Sequence, residues 1–126
     1  MAINQKTVMI IEDEPDAAEL FAEMMRVSGF QVLKSYASIP AMNMIAQEKP
    51  DVIILDIMMP DISGLDILRD MRGKADLAKI PVVLVSAKGT PSDVREGLNA
   101  GASIYLTKPV GFADLKNAVE RALRDS

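Results

Sequence analysis

Short apolar runs alternate with longer segments of helical periodicity along the whole chain. The apolar runs predict five β-strands, at residues 7–11, 31–35, 51–56, 80–86 and 103–107. The runs VIIL and VVLV, in the third and fourth strands, contain no polar residue, which is typical of strands that helices cover on both faces. Regular alternation of strands and helices indicates βαβ units and a parallel sheet.

The first and last helices have clear amphipathic patterns. The first is expected to begin at Pro15, because proline is favoured in the first helical turn, and Gly29 can end it. Its apolar stripe at helical spacing comprises Ala17, Leu20, Phe21 and Met24. The stripe of the last helix comprises Phe112, Leu115, Val119, Ala122 and Leu123. Both helices are therefore expected to dock on the sheet.

The three middle helices are predicted from residues that favour helix N-termini. These residues are Ser38 with Pro40, Ser63 with Gly64, and Thr90 with Pro91. Right-handed crossovers with helices on both faces lead to a doubly wound sheet, for which the strand order 2-1-3-4-5 is common. The predicted fold class is flavodoxin-like α/β, with ligands bound at the carboxyl ends of strands one and three.

Length and composition limit the classes of protein that fit. A chain of 126 residues with 49% hydrophobic content is expected to form one domain over residues 1–126. It contains no cysteine, so disulfides and thiolate metal sites are excluded, as expected in a reducing compartment. The apolar runs are too short to span a membrane, and we expect a cytoplasmic protein.

Charge and histidine content narrow the choice of partners. The net charge is −4, and no basic cluster is present, which argues against direct binding to nucleic acid. The chain has no histidine, the commonest phosphoryl-carrying side chain. Any phosphohistidine chemistry must therefore belong to a partner.

Polar residues follow each of the central strands. They are Glu12, Asp13 and Glu14 after strand one, Asp56 after strand three, Ser86 after strand four and Lys108 after strand five. Parallel strands end at one edge of the sheet, so these side chains are expected to converge there. Each has an ordinary alternative explanation, such as helix-dipole stabilisation for the acids or a turn contact for Asp56. Their coincidence at one edge favours a functional site.

The charges at this edge favour a bound cation. Carboxylates after the first strand would repel a preformed phosphate, so a flavin or nucleotide site is disfavoured. At a separation of about 4 Å, Asp13 and Asp56 would repel each other by roughly 4 kcal/mol. Mg²⁺ prefers such oxygen ligands, and Lys108 can add positive charge. Asp56 is then the candidate nucleophile, with Ser86 and Lys108 binding the transferred phosphoryl oxygens.

Four sequence stretches resemble the receiver domains of two-component response regulators. They are VMIIEDEPD, DVIILDIMMPDISGLDIL, PVVLVSAK and GASIYLTKP. The resemblance covers essentially the whole chain. It implies a signalling switch that takes a phosphoryl group from a histidine kinase or a histidine phosphotransfer protein and then controls an unknown downstream protein.

The resemblance also implies roles for individual residues. Mg²⁺ would be held by Glu12, Asp13, Asp56 and the backbone carbonyl of Met58, and Asp56 would be the phosphorylation site. Ser86 would turn toward the phosphoryl group, Lys108 would pair with it, Pro109 would be cis, and Tyr105 would be a rotating aromatic switch. The surface of the fourth helix, fifth strand and fifth helix would change, with Arg95, Glu96, Lys116 and Arg121 as contributors.

Some positions differ from the common pattern of this family. Glu12 stands where many receivers have aspartate, and it is expected to reach the metal through water. The positions that tune phosphoryl lifetime hold Met58 and Lys88, neither of which orients water well. Because an apolar thioether hinders in-line attack by water, we expect a long-lived acyl phosphate.

Two other classes stay open from the sequence. A haloacid-dehalogenase-like phosphatase uses similar groups, but normally has an aspartate two residues beyond the nucleophile, where this chain has Met58. A pseudo-receiver that acts without phosphate would be expected to lack Asp56, Lys108 or the acidic pair. The oligomeric state is open between a monomer and a phosphorylation-dependent dimer. Whether the chain stands alone or belongs to a longer regulator is open too.

Overall fold

A computed structural model describes residues 5–126, so the first four residues of the predicted domain lie outside the described part. The strands are β1 (Thr7–Ile11), β2 (Gln31–Ser35), β3 (Val52–Asp56), β4 (Val82–Ser86) and β5 (Ile104–Thr107). The helices are α1 (Pro15–Val27), α2 (Ser38–Glu48), α3 (Gly64–Arg72), α4 (Pro91–Asn99) and α5 (Phe112–Arg124). All strand pairs are parallel, in the order β2-β1-β3-β4-β5. The predicted fold class and strand order are confirmed.

Three strands begin one or two residues later than predicted. Ahead of β3, the Asp51 N–H donates to the Thr7 carbonyl at 3.0 Å, but the Thr7 N–H donates to the Asp51 carboxylate at 2.7 Å and not to a backbone carbonyl. Ahead of β4, the N–H of Ile80 donates to the carbonyl of Leu77 in a turn, and Pro81 has no N–H to offer. The apolar residues ahead of β4 lie outside its regular hydrogen-bond ladder. The apolar pattern therefore predicted a start for this strand that is too early.

The core lies in two layers, one on each face of the sheet. Alternate residues of a strand point to opposite faces, so Met9 and Ile11 belong to one layer while Val8 and Ile10 belong to the other. Helices α2 and α3 cover the first layer, and α1 and α5 cover the second. Every residue of β3 and β4 is buried, as expected for strands enclosed by helices. Strand β2 lies at an edge.

The buried faces of the outer helices differ from the predicted stripes. In α1 the fully or nearly fully buried residues are Ala18, Phe21, Ala22 and Met25. Leu20 is 55% exposed, and Phe112 at the start of α5 is 42% exposed. At 100° per residue, position 20 lies on the side of α1 opposite this buried face, so Leu20 points away from the core. The helices are confirmed, but these two side chains are wrongly predicted as core residues.

Two of the three predicted middle caps are confirmed. The hydroxyl of Ser63 accepts a hydrogen bond from the Leu65 N–H at 3.2 Å, and Thr90 forms a capping box with Asp93. The prediction for α2 is wrong, because the cap position is Ala37, which offers no side-chain acceptor. Ser38 instead lies inside the helix, fully buried, and its hydroxyl donates to the Ile62 carbonyl at 2.6 Å.

Candidate functional site

The carboxyl ends of the central strands bring the predicted polar side chains to one edge of the sheet. Glu12 directly follows β1, Asp56 ends β3, Ser86 ends β4 and Lys108 directly follows β5. Strands β1, β3, β4 and β5 are successive neighbours in register, so their last residues lie side by side.

Three carboxylates form the centre of the site. Glu12, Asp13 and Asp56 each present an oxygen within 4.8 Å of the others. Glu12 is fully buried and Asp56 is 4% exposed, whereas Asp13 is half-buried. Negative charges this close, with little water around two of them, repel one another strongly. The site therefore favours a positive group between the carboxylates.

Lys108 provides one such group, because its amine points into the site. Its Nζ lies 2.6 Å from Glu12 Oε1 and 3.2 Å from Asp56 Oδ2. Burial by itself would lower the pKa of Lys108, but the hydrogen bond to Glu12 and the negative charges outweigh it and raise the pKa above its ordinary value. One ammonium group thus faces two buried carboxylates, and it is not a free surface lysine.

The protonation of Glu12 reflects this excess of negative charge. Burial and, to a smaller extent, neighbouring Asp56 together raise the pKa of Glu12 to about 7, against the lowering effect of the hydrogen bond from Lys108. A second oxygen of Glu12 accepts a hydrogen bond from the Glu14 N–H at 3.3 Å. The protein alone therefore does not fully stabilise the charged form of Glu12.

Asp56 is held in one orientation by contacts to both carboxylate oxygens. Oδ1 accepts a hydrogen bond from the Met58 N–H at 3.0 Å, and Oδ2 faces Lys108. Gly64 packs against the backbone of this residue, since an added Cβ would lie 2.2 Å from the Asp56 carbonyl oxygen. The position of Asp56 is thus fixed by the loop that follows β3 and by the start of α3.

Ser86 and Tyr105 both contact the backbone of Lys88. The Ser86 hydroxyl oxygen accepts a hydrogen bond from the Lys88 N–H at 3.1 Å, and the Tyr105 hydroxyl donates to the Lys88 carbonyl at 2.5 Å. Within residues 5–126 Ser86 makes no hydrogen bond to Asp56. Ser86 therefore lies at the predicted edge but is turned toward the loop after β4. The peptide bond between Lys108 and Pro109 is cis, as the resemblance implies.

One contact beside the site was missed by sequence reasoning. Asp61, in the loop after β3, accepts hydrogen bonds from the N–H groups of Ser38 and Ile39 at the start of α2. The sequence gives only an indirect indication of this contact. The cap position of α2 is an alanine, which has no side-chain acceptor, so the first N–H groups of α2 need an acceptor from another part of the chain.

The donor set fits a hard divalent cation. Three carboxylates on neighbouring strand ends provide several oxygens, and Asp13 keeps the cluster open to solvent. Mg²⁺ is commonly held by one or two carboxylates with water completing its shell. The incompletely stabilised charge of Glu12 gives such an ion an electrostatic reason to bind.

The doubly wound parallel sheet, with an acidic cluster and a lysine at the carboxyl ends of its central strands, places the chain in the flavodoxin-like α/β class. The family model for the response regulator receiver domain matches residues 8–120. The chain therefore belongs to the response regulator receiver domain family. As a receiver domain it is a phosphoacceptor signalling switch, not an enzyme of the usual kind, and the phosphatase alternative is set aside.

Known relatives agree with this assignment. The transcriptional regulatory protein KdpE of Mycobacterium tuberculosis is 36% identical over 117 residues, which are 93% of this chain and 50% of KdpE. The polar-differentiation response regulator DivK of Brucella ovis is 29% identical, over 96% of this chain and 98% of DivK. The chain thus spans about half the length of the mycobacterial relative but nearly all of DivK.

Solved structures agree as well. The signal receiver domain of a signal transduction histidine kinase from Syntrophus aciditrophicus superposes with a TM-score of 0.87 at 32% identity, covering 95% of this chain and 91% of that one. The receiver domain of Francisella response regulator 1452 gives 0.90 at 26% identity, covering 96% and 98%. Among residues 5–126 no helix is long and apolar enough to cross a membrane.

Proposed function

We propose that this receiver domain accepts a phosphoryl group on Asp56 from the phosphohistidine of a histidine kinase or a histidine phosphotransfer protein. The observation that carries the proposal is the convergence of Lys108 and three carboxylates around the Asp56 side chain. A donor histidine must come from outside, because the chain has none.

The metal in this proposal is Mg²⁺. Glu12, Asp13 and Asp56 would hold it through their carboxylates, with Glu12 acting directly or through water, and the carbonyl of Met58 would complete the protein ligands. When bound, the ion neutralises charge on the phosphoryl oxygens and on the acceptor carboxylate, which otherwise repel each other.

The transfer step uses Asp56 as nucleophile. One of its carboxylate oxygens forms a bond to phosphorus, the bond from phosphorus to the donor imidazole nitrogen breaks, and that nitrogen keeps the electron pair. The Met58 N–H and the Lys108 amine hold the carboxylate in place before the attack. Lys108 can then pair with an oxygen of the transferred group, which compensates the added negative charge.

In this proposal, the backbone of Lys88 couples phosphorylation to a conformational change of the loop before α4. Its N–H is held by Ser86 and its carbonyl by Tyr105, so turning the Ser86 hydroxyl toward the phosphoryl group releases one of these two bonds. A cleft of about 210 Å³ beside the Tyr105 ring, lined among others by Ile57 and Leu65, offers room for the ring to move inward. Phosphorylation would thereby shift a two-state equilibrium of the loop before α4.

The output surface in this proposal consists of α4, β5 and α5. Arg95, Glu96, Lys116 and Arg121 contribute charged side chains to these elements. An unknown downstream protein, or a second copy after phosphorylation, would bind there, with no direct contact to nucleic acid. We place the domain, residues 1–126, in the cytoplasm, where kinase and phosphotransfer proteins would meet it.

Intact-protein mass spectrometry tests the proposal. The protein is mixed with Mg²⁺ and acetyl phosphate, and we expect one added phosphate that is stable to acid and labile to base. It should be absent with EDTA and in Asp56→Asn. An unmodified wild-type protein under these conditions contradicts the proposal and favours a pseudo-receiver that acts without phosphate.

A further inference from the structure

The loop between β3 and α3, residues 57–63, is tied to α2 by hydrogen bonds in both directions. The Asp61 carboxylate accepts from the Ser38 N–H at 3.0 Å and from the Ile39 N–H at 3.3 Å. In return, the Ser38 hydroxyl donates to the Ile62 carbonyl at 2.6 Å. We call the side chains of Ser38 and Asp61, together with their three backbone partners, the loop–helix clamp. These partners are the N–H groups of Ser38 and Ile39 and the carbonyl of Ile62.

The clamp meets a need that α2 cannot meet locally. The first N–H groups of a helix lack partners within the helix, and a side-chain oxygen at the cap position usually accepts from them. The cap position of α2 is Ala37, which has no such oxygen. Asp61, 23 residues further along the chain from Ser38, supplies the acceptor instead. The start of α2 and the loop after the acceptor strand therefore depend on each other.

The clamp lies on the far side of the segment that carries Met58. On the near side, the Met58 N–H is bound to Asp56, and the Gly64 N–H donates to the Ile57 carbonyl at 2.9 Å. Between these points the chain makes an exposed turn, in which the Met58 side chain is 53% exposed. Within the same turn Met59 is buried in the apolar core, and the clamp adds a polar anchor further along the loop, at Asp61 and Ile62.

We propose that Asp61 is a positioning residue for the acceptor site. Through the clamp it sets the course of residues 57–63, and so the direction of the Met58 carbonyl toward the metal position and of the Met58 N–H toward Asp56. This inference rests on the proposed function, because it assigns the loop to the metal and to the acceptor. A residue that only capped α2 would stabilise the helix without affecting either.

The test compares Asp61→Ala with Asp61→Asn in the full chain. Asn keeps one oxygen that can accept from the α2 N–H groups, whereas Ala keeps none. In the metal-free protein, amide hydrogen exchange in residues 57–63 is expected to accelerate in Asp61→Ala and to return toward wild type in Asp61→Asn. Calorimetric titration with Mg²⁺ is expected to give a roughly tenfold higher Kd for Asp61→Ala, as for other residues that support a metal ligand, and rescue by Asn.

Asp66→Ala is the matched control, because Asp66 is also an exposed aspartate, lies in the neighbouring α3, and among residues 5–126 its carboxylate pairs with Arg69 alone. It should leave Mg²⁺ affinity and loop exchange unchanged. If Asp61→Ala lowers the melting temperature but leaves the Mg²⁺ Kd at the wild-type value, the positioning role is overturned and Asp61 is only a cap. If Asp61→Ala does not fold, Ser38→Ala removes the opposite bond of the clamp, and unchanged exchange in residues 57–63 overturns the inference.

Failure of the proposed function would be visible separately. A wild-type protein that binds no Mg²⁺ and takes no phosphate contradicts the proposed function, and the inference about the metal falls with it. A wild-type protein that does both, with an Asp61→Ala variant that does both equally well, contradicts the positioning role alone.

Discussion

At the scale of single residues, the site contains more negative than positive charge. Lys108 bridges Glu12 and Asp56, but Asp13 adds a third carboxylate within 4.8 Å. Burial together with the Asp56 charge raises the pKa of Glu12 to about 7, which shows how poorly a further negative charge is tolerated. The acidic cluster therefore costs stability in the absence of a cation.

The first prediction follows from this cost. Replacing Asp13 by asparagine removes one charge with little change in shape, and the free energy of unfolding in EDTA is expected to rise by about 1 kcal/mol. Urea unfolding of the wild-type and variant proteins in EDTA measures this difference in free energy. The control Asp66→Asn, on the exposed face of α3, should change stability by less than about 0.5 kcal/mol. A less stable Asp13→Asn protein in EDTA would contradict the account of repulsion.

A second prediction concerns the lifetime of the phosphoryl group. Met58, whose N–H is bound to Asp56, has an apolar side chain, and Lys88, whose N–H is bound to Ser86, has a cationic one, so we expect neither side chain to orient water for in-line attack. Phosphorylated protein, freed of donor, is expected to keep its phosphate for minutes at neutral pH. Met58→Asn should shorten this time, because an amide can orient water. Loss of the wild-type phosphate within seconds would refute the prediction.

The residue types of the site were predictable from the sequence, whereas some of their contacts were not. Glu12, Asp56, Ser86 and Lys108 follow strands, and parallel strands place them at one edge. The sequence does not say that the Ser86 hydroxyl faces the Lys88 N–H, because rotamers depend on neighbouring loops. It also could not supply the contact from Asp61 to α2, which joins residues far apart in the chain.

At the scale of elements, the start of α3 packs against the end of β3 and the residue that follows it. Gly64 begins this helix, and its Cα packs directly against the Asp56 carbonyl and Ile57. The strand ends and the helix starts were predictable from apolar runs and capping residues such as Thr90. The α2 cap was not, since the acceptor that replaces a local cap comes from another loop.

The third prediction compares the glycine that begins α3 with the glycine that directly follows it. An added methyl group at Gly64 would lie 2.2 Å from the Asp56 carbonyl oxygen, which is backbone and cannot yield easily. Gly64→Ala is therefore expected to lower the free energy of unfolding by about 3 kcal/mol or more. At the other end of α3, Gly73→Ala meets only ordinary contacts at 3.6 Å and should be nearly neutral. Chemical denaturation measures the free energy of unfolding of both variants. Equal stability of the two variants would contradict the packing described.

At the scale of the whole molecule, the sheet carries an apolar layer on each face and the polar side chains of the site at the carboxyl ends of its strands. Two apolar layers hold β1 and β3 so that their ends cannot move apart, and this rigidity keeps the carboxylates close despite their repulsion. The two-layer arrangement was predictable, because the runs VIIL of β3 and VVLV of β4 contain no polar residue. The exact buried face of α1 was not predictable, because a pattern of apolar positions does not distinguish small alanines from larger side chains.

The fourth prediction is that Mg²⁺ stabilises the whole fold. An ion that binds only the folded state adds about 2.7 kcal/mol at a concentration one hundred times its Kd. The melting temperature is therefore expected to rise with Mg²⁺ concentration, and the rise should be much smaller in Asp13→Asn. No rise at millimolar Mg²⁺ would count against a metal site at the acidic cluster.

The central claim, that Asp56 is the acceptor, is tested most directly by locating the phosphate. Protein treated with Mg²⁺ and acetyl phosphate is reduced with borohydride, which converts an aspartyl phosphate to homoserine, and its peptides are sequenced by mass spectrometry. We predict homoserine at position 56 and at no other acidic residue. Aspartate intact at position 56, with the modification at Asp13 or Ser86, would contradict the account.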